Sequence, residues 1–351
     1  MVKLLIAAGE RSGLLLGELL SQEVQRLNPL AEIALLDISR KIGTIFGFWE
    51  GAQRILQARK VFSTALKEIK RFSPDVFVPI AFPGVNLVLG KMAKDRGIKV
   101  VYLAPPQVWA WGRFRVKILR RIADRCICLF PFEQEFFRRV KIAARYFGYP
   151  LFDSVVVRYS ESEIRTLLKF PPGTEYITFL PGSRVNEIRY HQPLFIKVFA
   201  HIRKRYPDLK GVIVGGEEAK FPEGMVQVTP EIRYETIRYA RLAVVVSGTV
   251  TAETALLQTP MVVCYHFSPP SRFLARMFVR LKWFSIPNLV LKDKIVPELL
   301  EPDEAGLRRN IVRLLEDEFE RTQMLRQLKR VKELLGPLGA MTKIAQAVLR
   351  V

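Results

Sequence analysis

The chain has 351 residues, 49% hydrophobic and 25% charged, which suits two folded α/β domains and argues against disorder. Its formal net charge is +21, and residues 51–150 alone hold 20 Lys and Arg against 6 Asp and Glu. A regional excess of one sign favours a polyanionic partner (nucleic acid, anionic lipid or a phosphorylated substrate) over a merely solvated surface.

Cys126 and Cys128 stand in an apolar run with no second pair and no nearby histidine, and Cys264 is alone. Neither a zinc site nor a disulfide framework fits, so the cysteines read as buried thiols of a reducing compartment, with no metal and no cofactor expected. The apolar start, Met1–Ala8, lacks the length and cleavage site of a signal peptide. No run approaches ~18 uncharged apolar residues, so no membrane-spanning helix is expected. The expected location is the cytoplasm or the inner face of a membrane.

In chain order, short apolar runs alternate with longer amphipathic ones. Strands are predicted at Lys3–Ala7, Glu32–Leu36, Val76–Ile80, Lys99–Tyr102, Arg125–Leu129 and Arg145–Phe147, with helices at Gly13–Asn28, Gly51–Phe72 and Leu87–Arg96. A second series places strands at Tyr176–Leu180, Gly211–Gly215, Leu242–Val246 and Met261–Tyr265, with helices at Pro193–Tyr206, Thr236–Ala240 and Val250–Leu257. Nearly continuous Val/Ile/Leu strands alternating with helices predict parallel sheets buried on both faces. The fold class is therefore α/β with two doubly wound domains, 1–154 and 155–335, joined near Tyr149–Ser160. The charged tail from Glu304 is helical, and Gly336-Pro337 breaks it before a last helix at Met341–Leu349. That terminal segment, 336–351, is expected to pack back on the first domain.

Ligands of such folds bind beyond the carboxyl ends of the strands, in loops that open helices. Four loops qualify. Ala8-Gly9-Glu10-Arg11-Ser12-Gly13 follows the first strand, where a tight strand-to-helix turn is the favoured reading. Leu180–Glu187 combines Gly182, Ser183 and the Arg184 guanidinium at a helix start, a phosphate cradle. Ser247, Gly248 and Thr249 offer backbone and hydroxyl donors to a diphosphate, with Glu253 one turn into the helix. Glu253 suits either ribose hydroxyls or a first-turn partner of the helix dipole. Tyr102–Trp111, with two Pro and with Trp109 and Trp111, reads as a rigid apolar wall or as a domain-interface loop.

Together and in order, these motifs resemble the lipid-A-disaccharide synthase family. The matching pieces are Ala8-Gly9-Glu10-x-Ser12-Gly13, Pro74–Val78, Trp109-Ala110-Trp111, Phe147–Asp153, Leu180–Arg184, Ser247-Gly248-Thr249, Pro260–Val263, Pro287-Asn288-Leu289 and Glu298-Leu299-Leu300. The resemblance runs from the first strand to the last helix. It implies the GT-B architecture, two Rossmann-like domains facing a cleft. It also implies an inverting, metal-independent transfer of a diacylglucosamine unit from UDP-2,3-diacylglucosamine to 2,3-diacylglucosamine 1-phosphate by a protein peripheral to the inner membrane. On this resemblance Arg184, Ser247, Gly248, Thr249 and Glu253 hold UDP, Glu10 and Asn288 lie in the cleft as catalytic candidates, and Ser12, Gly13, Trp109, Trp111 and Asn86 fall on the acceptor and lipid side. The partners implied are a UDP-sugar and an anionic lipid or phosphorylated glycolipid; no nucleic acid is expected, and a homodimer is compatible with this reading.

The basic charge then meets anionic headgroups. Ser271–Phe284 places Arg272, Arg276 and Arg280 on one helical face and Phe273, Leu274, Met277, Phe278 and Leu281 on the other, a pattern that fits either a bilayer surface or a domain core.

The sequence departs from the family at its acids. Leu14 replaces an Asp, Tyr149 a His and Glu301 a Gln, and a Gly-rich segment before Gly47–Glu50 is missing. The family's Ile-Asp-Ala-Pro-Asp-Phe-Asn reads Ile80-Ala81-Phe82-Pro83-Gly84-Val85-Asn86, so its proposed general base is Gly84. Glycine takes no proton, and Glu10 and Glu50 are the carboxylates expected to serve in its place. The alternatives are a relative that uses a different acceptor, or that binds a nucleotide-sugar or lipid without transfer, a nucleotide-sugar epimerase of the same architecture and, last, a nucleic-acid binder, for which no recognised module is present.

Overall fold

The computed structural model describes residues 1–9, 11–38, 51–110, 112–266 and 282–351, and of residues 51–61 the backbone alone. They form two compact units, Met1–Ser154 with Leu335–Val351, and Val155–Leu334.

The first unit is built on a six-stranded parallel sheet in the order β2-β1-β3-β4-β5-β6. Its strands are β1 Lys3–Ala8, β2 Glu32–Asp37, β3 Val76–Ile80, β4 Lys99–Leu103, β5 Arg125–Cys128 and β6 Ala144–Tyr146. Leu4 sits opposite Ile33 on one side and Val76 on the other. Every residue of β3 is buried, as a parallel strand covered on both faces requires. The helix Arg11–Leu27 turns Gly13, Leu16, Gly17, Leu20 and Val24 inward, the spacing of a single apolar stripe.

The terminal helix Ala340–Leu349 belongs to this unit and packs on Arg11–Leu27. Three ties hold it. The Asp153 carboxylate accepts from the Gly339 and Met341 N–H groups at 2.6 and 2.8 Å, which caps the helix start. The Leu335 carbonyl accepts from the Tyr149 N–H and the Tyr146 hydroxyl, each at 2.8 Å. Gly148, at φ 115°, lets the chain pass where a side chain would meet the Ala340 Cβ at 3.1 Å.

The second unit repeats the plan with the order β12-β11-β10-β7-β8-β9. The strands are β7 Tyr176–Leu180, β8 Lys210–Val214, β9 Met225–Val228, β10 Leu242–Val246, β11 Met261–Tyr265 and β12 Glu298–Leu300. β9 and β12 are additional to the predicted set; they are edge strands of four and three residues, too short to show a pattern. The helix predicted from Pro193 runs instead over Val185–Arg205 with the proline inside, because a capping box between Arg184 and Glu187 starts it earlier.

Strand order locates the crevices. In the first unit the chain leaves β1 toward β2 and returns on the other side as β3. In the second it leaves β7 toward β8 and β9 and returns as β10. The strand order reverses between β1 and β3 and between β7 and β10, and in open parallel sheets ligands bind beyond the strand ends at such switch points. No helix among the described residues is long and apolar enough to cross a membrane.

Candidate active site

In the second unit the switch-point loops are the two read as phosphate cradles, and they differ in how occupied their donors are. After β7, Gly182 adopts φ 111°, and a Cβ there would lie 2.6 Å from the Glu187 side chain. That carboxylate reaches back under the loop. Its Oε2 accepts from the Ser183 and Arg184 N–H groups at 3.0 and 3.3 Å, and its Oε1 from Arg184 Nη1 at 2.9 Å. The Ser183 and Arg184 N–H groups and the Arg184 guanidinium thus face an internal carboxylate.

Among the described residues the loop after β10 is the open one. Ser247 donates its hydroxyl to the Phe284 carbonyl at 2.8 Å and so anchors the segment before Asn288. Gly248 is exposed, its side-chain position meets nothing within 4 Å, and the N–H groups of Gly248 and Thr249 have no partner among the described residues. Thr251 closes the turn by donating to the Gly248 carbonyl at 2.8 Å and accepting from the Ile286 N–H at 3.2 Å. The Glu298 carboxylate receives the N–H groups of Phe284 and Ser285, at 3.1 and 2.7 Å.

Glu253 is buried, 3.5 Å from the Arg233 Nε. Burial raises its carboxyl above the usual range while Arg233 pulls it back. Arg233 in turn lies over the Tyr234 ring, 4.2 Å from its centroid. Of the two roles open to Glu253 in the sequence, the structure shows it paired with a neighbouring guanidinium.

Asn288 is also fully buried. Its Nδ2 donates to the Val296 carbonyl at 3.0 Å, and its Oδ1 accepts from the Ile295 and Val296 N–H groups at 2.8 and 3.0 Å. All its side-chain hydrogen bonds brace the loop that leads into β12.

Sequence reasoning missed a histidine pair beside these loops. His191 donates from Nδ1 to the Glu187 carbonyl at 2.7 Å and accepts at Nε2 from the His266 N–H at 3.0 Å, which fixes one neutral tautomer. Burial lowers its basicity. His266 follows β11, pairs through Nδ1 with Glu301 at 2.6 Å and stacks on Tyr190 with ring centroids 6.2 Å apart. The bonds from Glu187 through both histidines link the β7, β11 and β12 loops. Glu301, singled out as a departure from the family, is the acidic partner of His266.

In the first unit the switch point is lined by Gly9, Ser12 and Gly13 after β1 and by Ala81–Gly84 after β3. Gly9 and Phe82 touch so closely that a Cβ on Gly9 would stand 2.6 Å from the ring. Gly13 is buried where the helix meets Ala8 and Ile80, and Ser12 is half-buried. Ala81 and Phe82 take φ 46° and 45°, two successive left-handed non-glycine residues, a strain of roughly 1–3 kcal/mol each. The surroundings hold them there. Tyr102 donates its hydroxyl to the Ala81 carbonyl at 2.8 Å, and the buried Asn86 Nδ2 donates to the Ile80, Ala81 and Ala7 carbonyls at 2.9, 3.0 and 3.3 Å. Asn86 therefore joins the ends of β1 and β3. Gly84 is exposed, with nothing within 4 Å of where its side chain would be.

Trp109 stands after β4, half-buried, its indole N–H donated to Glu133 Oε1 at 2.9 Å and its ring edge-on to Phe132 at 4.9 Å. Glu133 is a further residue the sequence did not reveal: it is nearly fully buried, and its partner Trp109 is 24 positions away. Glu10, Glu50 and Trp111 lie outside the described residues, as does most of the Ser271–Phe284 segment.

Comparison with known proteins agrees with this architecture. The family model described as lipid-A-disaccharide synthetase matches residues 4–337. The lipid-A-disaccharide synthase of Geobacter sulfurreducens is 32% identical, covering 99% of this chain and 96% of that protein. The corresponding synthase of Idiomarina loihiensis is 31% identical, covering 99% and 97%. Among solved structures, UDP-GlcNAc 2-epimerase from Neisseria meningitidis bound to UDP-GlcNAc superposes with a TM-score of 0.67 at 13% identity, covering 100% of both chains. The glycotransferase of kitacinnamycin superposes with a TM-score of 0.60 at 13% identity, covering 99% and 98%. The fold is GT-B, and the chain belongs to the lipid-A-disaccharide synthase family.

Proposed function

We propose that this protein transfers a diacylglucosamine unit from a UDP-sugar to a phosphorylated glycolipid acceptor, with inversion and without a metal, at the cytoplasmic face of the inner membrane. The observation that carries the reading is the pair of N–H donors at Gly248 and Thr249, without a partner among the described residues, at the β7/β10 switch point where a family member needs its diphosphate. Charge develops on the departing UDP as the glycosidic bond breaks, and preoriented N–H groups stabilise it there. Arg184 adds a guanidinium, released to the diphosphate as Glu187 gives way. Ser247 and Asn288 act by holding the loops that carry these donors. Membership of the family and the basic 51–150 stretch support the lipid partner.

The acceptor hydroxyl must lose a proton as it attacks the donor's anomeric carbon, a step worth ~10²–10⁴ in rate when a base is positioned. Gly84 cannot supply that base, and Glu10 and Glu50 are the carboxylates assigned to it. The same observation favours a second reading, a relative that binds the nucleotide-sugar and transfers nothing. Turnover of UDP-2,3-diacylglucosamine with the diacylglucosamine 1-phosphate acceptor, reading UDP and disaccharide by mass spectrometry, separates the two. Disaccharide supports transfer; bound UDP without disaccharide supports the second reading. UDP affinity undiminished in both Arg184→Ala and Glu253→Ala would sink the assigned nucleotide site.

A further inference from the structure

Glu133 is 2% exposed, yet its carboxylate is the meeting point of two loops at the carboxyl edge of the first sheet. Oε1 accepts from the Trp109 indole at 2.9 Å, and Oε2 accepts from the Leu129 and Phe130 N–H groups at 3.0 and 3.1 Å. An acid at this place in a helix usually caps it in water. Here an aromatic row covers it: Trp109 lies edge-on to Phe132, Phe132 stacks on Phe130 at 5.6 Å, and Phe130 stacks on Tyr149 at 6.1 Å. Among the described residues, the titratable groups facing it are the Cys126 and Cys128 thiols of β5 and the Tyr146 hydroxyl of β6. Burial pushes all three up, Cys126 to about 12, so they remain neutral near pH 7. Arg115 interacts electrostatically with Tyr102.

We propose that Glu133 is a positioning residue of the transfer reaction: its carboxylate fixes the Trp109 indole, and with it the 104–110 segment, as the acceptor-side wall, and uptake of a proton loosens that wall. This rests on the reading of Trp109 as acceptor-facing. Ionised, the carboxylate satisfies three donors with charge-assisted bonds. Protonated, it offers those donors weaker neutral bonds and brings a fourth donor into a place already lined with donors. Burial places this change within reach of neutral pH, holding the carboxyl at about 7.

The test uses the full chain with ¹⁵N-labelled tryptophan, the Trp109 Nε1–H resonance being assigned by its loss in Trp109→Phe. Between pH 5.5 and 8.5 this resonance should titrate in the wild type with a midpoint near the Glu133 value and stay flat in Glu133→Gln. Acceptor KM should rise on the order of fivefold from pH 8 to pH 6, the equivalent of one net hydrogen bond. Donor KM should not follow, and in Glu133→Gln and Trp109→Phe the acceptor KM should lose this dependence. If the chain turns nothing over, the same ratio is read as acceptor Kd, which separates failure of the transfer reading from failure of this one. A Trp109 resonance that stays flat in the wild type overturns the linkage. A resonance that titrates while acceptor KM or Kd keeps the same pH profile in wild type and Glu133→Gln overturns the role in the reaction.

Discussion

Raising the pH from 5 to 8 should destabilise the first unit through Glu133. Its carboxyl ionises at about 7 in the folded chain against an ordinary 4.5. Between those values the folded state holds a proton that the unfolded chain has released, so stability falls as pH rises and levels off above the folded value. A shift of that size corresponds to ~3.4 kcal/mol at full ionisation. About 0.8 kcal/mol of it is already expressed at pH 5 and nearly all at pH 8, so Glu133 alone should cost about 2.5 kcal/mol across this interval. Glu133→Gln keeps the shape and cannot ionise. Urea unfolding of both proteins at pH 5, 6, 7 and 8 gives the comparison, because contributions of other groups cancel in the difference. Wild type should lose about 2.5 kcal/mol more than the variant. Parallel stability profiles would show that Glu133 does not carry its proton into the folded state and would refute the reasoning.

His191 should act with the opposite sign in the second unit. Burial lowers its basicity and its Nε2 already accepts a hydrogen bond, so this unit should lose stability as pH falls below about 6.5; an unfolding profile between pH 7 and 5 that matches His191→Asn argues against it. Gly248→Ala has room for its methyl group and should fold as the wild type does, while UDP affinity drops by about tenfold or more as the methyl crowds the diphosphate; unchanged affinity by calorimetry removes this loop from the nucleotide site. Glu10→Gln or Glu50→Gln should lower kcat by ~10²–10⁴, and Gly84→Asp, for which the structure has space, should restore part of the loss. Wild-type turnover in both glutamine variants excludes both carboxylates as the base.

Much of the candidate site was legible because strand and helix periods are local. The runs Tyr176–Leu180 and Leu242–Val246 fall where the sequence puts them, and so the Gly182 and Ser247-Gly248-Thr249 loops that follow were identifiable as the loops at the strand ends. Their occupancy was not. Glu187 was visible within its motif, but its use as the anion under Ser183 and Arg184 depends on backbone that forms only when Gly182 takes a positive φ. Asn288 reads in sequence as a polar residue in a family motif, whereas in the structure its amide is committed to Ile295 and Val296.

By itself the sequence determined the α/β class, the two series of strands and the loops at their ends, since each depends on residues near one another in the chain. Only the tertiary structure decided the pairing of Trp109 with Glu133, of His191 with His266 and Glu301, and of Arg233 with Glu253. Those contacts join loops brought together by parallel crossovers, and burial among them changes what a side chain does. As an acid in the first turn of a helix, Glu133 would ordinarily be solvated. Enclosed by an aromatic row and three N–H donors, it becomes a carboxyl balanced near neutral pH, because desolvation penalises its charge while the donors favour it.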